Sequence, residues 1–124
     1  MERFFLIAGA VAAGIAVMLG AFGAHGLEAR VSPDRVETFR TGVTYQMYHA
    51  LALLFVGWVA AQGGSGAIDW AGYSFLAGIF IFSGSLYVLV LTDTAWLGAV
   101  TPLGGVAFIA GWALLAWGLA QQAL

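Results

Sequence analysis

The ten formally charged residues of this chain are placed so that four long stretches carry no charge at all. Glu2 and Arg3 stand at the start, six charges fall between Glu28 and Arg40, and only Asp69 and Asp93 follow. A helix needs roughly 20 mostly apolar residues to cross the hydrocarbon core of a bilayer. The uncharged stretches supply such lengths at residues 4–24, 43–61, 70–91 and 96–119.

Composition closes the alternatives. The chain is 62% hydrophobic and 8% charged, whereas a soluble domain carries about a quarter charged residues to wet its surface. A membrane β-barrel requires strict alternation, and these runs are alanine- and glycine-rich without it. Helices satisfy their own backbone inside lipid. The expected fold is therefore all-α, a single integral membrane bundle of four transmembrane helices. The first apolar run exceeds the roughly 7–15 residues of a signal peptide core and is read as retained. There is no cysteine, which removes disulfides and thiol ligands. A net charge of −2 points away from a nucleic-acid partner.

Arginine marks the cytoplasmic side of a membrane protein. Arg30, Arg35 and Arg40 lie in the first loop, against Arg3 alone before the first crossing. This predicts cytoplasmic first and third loops and both termini outside. Within the first loop, Ser32-Pro33-Asp34 reads as a helix start, with a capping hydroxyl, a proline at the first helical position and an acid facing the dipole. A short interfacial helix from Pro33, turning into the second crossing near Gly42, and a solvated connector fit this stretch equally. Thr101-Pro102 either kinks the fourth crossing or starts it behind a threonine cap. Trp58, Trp70, Trp96 and Trp117 fall near crossing ends, where aromatic belts sit.

Small residues let membrane helices approach. The first crossing has Ala8, Ala12, Ala16, Gly20 and Ala24 at intervals of four, with Gly9 and Ala13 beside them, and the fourth has Gly104, Gly111 and Gly118 at intervals of seven. Contacts inside one bundle are the preferred use of both seams, ahead of an oligomer interface.

Polar residues within the crossings gather in one half of the bilayer, beside the first loop. They are His25, Tyr45, Gln46, His49, Ser83, Ser85, Tyr87 and Thr101. Intramembrane polar groups need partners and often mark a site. Hydrogen-bonding glue between helices is the preferred reading, and a pocket lined by His25, Tyr45, Gln46, His49, Ser85, Tyr87 and Thr101 is the alternative. The two histidines alone do not make a metal site, because no carboxylate lies inside a crossing. A serine nucleophile from Ser83 or Ser85 lacks a nucleophile elbow and an acidic orienter. No catalytic residue, metal or cofactor is assigned.

Four patches resemble the domain-of-unknown-function-423 family, which includes bacterial inner-membrane proteins and the eukaryotic transmembrane protein 256. They are Gly20 to Gly26, Tyr45 to Leu51, Phe82 to Tyr87 and Thr101 to Gly105. The resemblance runs in order from Gly20 to Trp112. It implies a small polytopic membrane protein, with histidines in the first two patches as here, and carries no activity or cofactor. The expected function is non-enzymatic, an accessory or self-assembling bundle acting through helix association with a homo-oligomer or membrane-protein partner. The alternatives are a transporter or a small-ligand or lipid-binding protein using the polar half, then a histidine-dependent haem or quinone protein.

Overall fold

The computed structural model describes residues 2–122; the side chain of Ala24, part of the small-residue stripe of the first crossing, lies outside the described residues. Among the described residues every regular element is helical. Helix α1 (Glu2–Phe22) runs into a π turn at Gly23–Leu27. Helix α2 spans Pro33–Ala61. Helices α3 (Gly66–Gly78) and α4 (Gly84–Thr92) are one rod, joined through a π turn at Ile79–Ser83. A tight 3₁₀ turn at Ala95–Ala99 leads into α5 (Thr101–Gln121). The four rods are long and apolar enough to cross a membrane, and the protein is an all-helical integral membrane bundle.

The expected helix start at Pro33 is present, with the Ser32 hydroxyl accepting from the Arg35 amide at 3.4 Å. No separate interfacial helix precedes the second crossing, because α2 is continuous through Gly42. That glycine serves contact instead: a Cβ there would lie 2.7 Å from Cε1 of Tyr87. Thr101-Pro102 starts α5, yet Thr101 does not cap it. The turn before it is already helical at Val100, and the Thr101 hydroxyl points back to the Leu97 carbonyl and across to Ser85.

Rods α2 and α3–α4 form the centre, with α1 packed along α2 and α5 along α3. The α3–α5 seam is a matched pair of sevens running in opposite directions. A Cβ on Gly104, Gly111 or Gly118 would strike Phe82, Phe75 or Ile68 respectively. Across the centre, Gly9 sits where a Cβ would come 2.8 Å from the Ala50 carbonyl oxygen. Ala16 is buried and Gly20 lies beside Val43, while Ala12 is half-buried. The small residues thus set how closely the rods approach inside one chain.

One end of the bundle is tied by Arg35 to Asp93 (3.1 Å) and Arg40 to Glu28 (2.8 Å), which brings the first and third loops together. At the other end, the Gln122 side-chain amide donates to the carbonyls of Val59 and Gln62. Trp58, Trp70, Trp96 and Trp117 all face outward.

Candidate functional site

The intramembrane polar residues do not converge on one pocket. They form three separate clusters, and His25 stands apart from all of them.

The first cluster stitches three rods. Gln46, 4% exposed, donates from Nε2 to the Ala12 carbonyl (2.8 Å) and accepts at Oε1 from the Tyr87 hydroxyl (2.7 Å). Beside it the Ser83 hydroxyl donates to the Gly42 carbonyl (2.7 Å). That carbonyl belongs to the helix turn capped by the Tyr87 ring, so the glycine admits both contacts. The π turn ending at Ser83 inserts an extra residue and changes which side chains face α2. The second cluster joins α4 to α5: Ser85 donates to the Phe82 carbonyl (2.9 Å) and its oxygen pairs with the Thr101 hydroxyl (2.6 Å).

The third cluster lies between α2 and α5. His49 is 4% exposed, and its ring stacks on Phe108 at 3.6 Å with planes 8° apart. Its Nδ1 lies 2.7 Å from the Tyr45 carbonyl, and the Trp112 indole N–H donates to Nε2 at 3.0 Å. An indole can only donate, so Nε2 is the acceptor and Nδ1 carries the proton. The hydrogen bonds thereby fix a neutral tautomer with neither nitrogen free.

Next to this ring, a groove of ≈ 780 Å³ opens between α2 and α5. Its floor is Phe82, Phe108 and Gly105, and its rim is Tyr45, Tyr48, Ile109 and Trp112. Those rim residues are exposed, so the groove faces sideways toward lipid. The Tyr45 ring lies tilted against Phe82 with centroids 4.7 Å apart, and among the described residues no hydrogen bond engages the hydroxyl of Tyr45 or Tyr48. Sequence reasoning named Tyr45 and His49 but missed Trp112, Phe82, Phe108 and Gly105. The signal for Trp112 was its position: alone among the tryptophans of the later crossings, it falls near the middle of one rather than at an end.

A second groove of ≈ 480 Å³ separates α1 from the α3–α4 rod, with Gln46 and Tyr87 at its back. His25 lies exposed in the π turn at Gly23–Leu27 and lines neither groove. Among the described residues no group of three or more histidine, aspartate or glutamate side chains could hold a metal.

Residues 19–105 match the family described as protein of unknown function DUF423, a span that takes in all four patches singled out above. The chain is 50% identical over 114 residues to the UPF0382 membrane protein YwdK of Bacillus subtilis, covering 91% of this chain and 93% of that protein. It is 50% identical over 113 residues to a UPF0382 membrane protein of Staphylococcus aureus, covering 91% and 92%. A UPF0382 membrane protein of Staphylococcus epidermidis is 49% identical over 113 residues, again covering 91% and 92%. No solved structure matches the chain.

Proposed function

We propose that this chain, which belongs to the DUF423 family of membrane proteins of unknown function, is a non-enzymatic binding protein that takes an amphiphile sideways from the bilayer into the groove between α2 and α5. The observation that carries this reading is the groove itself. It is ≈ 780 Å³, within the range of about 300–1,000 Å³ typical of small-molecule sites. Its walls are aromatic faces, and the hydroxyls of Tyr45 and Tyr48 are its unengaged polar atoms. The ligand that fits is mostly apolar, lies against Phe82, Phe108 and Ile109, and has one hydrogen-bonding head beside the two tyrosines.

A serine–histidine catalytic pair finds no support among the buried polar side chains. Ser83 donates to Gly42, Ser85 to Phe82, and both nitrogens of His49 are engaged. Neither of these serines is thus paired with a histidine base. Association through the glycine seams, the leading expectation from the sequence, is set aside because Gly104, Gly111 and Gly118 already meet Phe82, Phe75 and Ile68 within the chain. We place the end carrying Arg30, Arg35 and Arg40 in the cytoplasm of a bacterial inner membrane, on arginine excess.

The test is an organic extract of the full chain purified from bacterial membranes in mild detergent. At Gly105 a Cβ would meet only Phe82 Cδ2, at 3.9 Å, so the backbone admits a side chain there and Gly105→Leu projects into the groove. The expected result is a co-purifying amphiphile in the wild type that is depleted in Gly105→Leu. Identical extracts from two equally folded proteins would overturn the reading.

A further inference from the structure

The groove between α1 and the α3–α4 rod plays no part in the function proposed above. It begins at Phe4 at one end and reaches Leu19 and Tyr87 at the other. Phe4, Val11, Ile15 and Phe80 form its rim and are exposed, so it opens onto the lipid-facing surface. From Phe4 to Leu19 it extends roughly 22 Å along α1, at 1.5 Å per residue. We propose that this groove holds one acyl chain of a membrane lipid, which fills the gap between α1 and the rest of the bundle.

Size and chemistry select that occupant. A transmembrane helix of a partner or second copy, about 10 Å across, needs roughly 1,700 Å³ over the same length, against the ≈ 480 Å³ present. Only a thread of hydrocarbon fits. No charged residue lines the groove, and its two polar side chains, Gln46 and Tyr87, are bonded to each other and to the Ala12 carbonyl. Nothing polar is left to hold a head group or a peptide backbone. The length exceeds the roughly 15 Å depth of one leaflet, enough for a whole acyl chain.

Gly84 gives the independent observation. At Gly9, Gly104, Gly111 and Gly118 a Cβ would collide with a neighbour, whereas a Cβ at Gly84 meets nothing within 4 Å. Glycine lowers helix propensity relative to alanine, so at Gly84 it is not explained by packing between rods. It lines the groove, and any larger side chain there would project into the space the acyl chain occupies. Gly14 is equally open but lies on the exposed face of α1 and lines neither groove, which makes it the matched control.

The experiment uses native mass spectrometry on the full chain after exhaustive detergent exchange, beside photolabelling in vesicles of phosphatidylethanolamine and phosphatidylglycerol that carry a diazirine in one acyl chain. The wild type and Gly14→Leu are expected to retain one lipid per chain besides the amphiphile of the α2–α5 groove, Gly105→Leu to retain that lipid alone, and Gly84→Leu to hold at least tenfold less of it. Photoadducts are expected at Ala12, Ile79 and Gly84 above the level at the outward residues Val17 and Leu103. Lipid-free wild type with an intact helical spectrum would overturn the proposal. So would adducts spread evenly over all exposed faces, which needs no variant to fold. Because Gly105→Leu blocks only the α2–α5 groove, loss of lipid in one variant without the other separates this site from the amphiphile site.

Discussion

The indole of Trp112 donates to Nε2 of His49 at 3.0 Å and holds the buried imidazole neutral, with its proton on Nδ1 facing the Tyr45 carbonyl. This contact bridges α2 and α5, rods that otherwise meet mainly through the same group of rings. Nitrogen-15 spectra of the labelled protein are expected to show the Nδ1–H tautomer. Trp112→Phe removes the donor and frees Nε2, and is expected to redistribute the tautomers while costing about 1 kcal/mol, the scale of an interhelical hydrogen bond in a membrane.

His49→Ala goes further, because it empties the space of a ring stacked on Phe108. Buried large-to-small changes of this size cost about 2–4 kcal/mol. Unfolding in mixed micelles is expected to show a loss in that range, clearly larger than for Trp112→Phe. Equal losses would mean that the hydrogen bond rather than the ring carries the contact.

Gln46 joins α1 and α4 through its two amide arms. In a double-mutant cycle, Gln46→Leu and Tyr87→Phe are expected to couple by about 0.5–1.7 kcal/mol. Two effects that simply add would show that the Tyr87 hydroxyl finds another acceptor when Gln46 is gone.

Glycines of the two kinds should respond oppositely to alanine. At Gly104 a Cβ would run into the backbone of Phe82, so Gly104→Ala is expected to force α5 away from the π turn of the α3–α4 rod and to destabilise by about 1–3 kcal/mol, as overpacking does. Gly14→Ala meets nothing and is expected to be neutral or to stabilise by up to about 1 kcal/mol through helix propensity. Thermal unfolding in detergent checks both.

With the arginine-bearing end in the cytoplasm, alkaline phosphatase fused at the C terminus or inserted at Gly63-Gly64 is expected to be active, and inserted at Val31 to be inactive. The reverse pattern inverts the orientation but leaves the shared end of the first and third loops, fixed by Arg35 and Asp93, unchanged.

The sequence by itself determined that this is a four-rod membrane protein, because the length and apolarity that a bilayer demands are local properties that each stretch either has or lacks. It also determined the start of α2 at Ser32-Pro33, since a cap is made by neighbours in the chain. It named most of the polar residues but could not group them: spacing along one helix says which side chains share a face, not which face of which neighbour they meet. Only the tertiary structure decided that Gln46 pairs with Tyr87, Ser85 with Thr101, and His49 with Trp112, leaving His25 alone. It likewise supplied the counterparts of Gly104, Gly111 and Gly118 in Phe82, Phe75 and Ile68. A glycine in a sequence records that a side chain is missing. Whether a neighbour presses into the gap, as at Gly104, or open space remains there, as at Gly84, depends on a surface that another part of the chain provides.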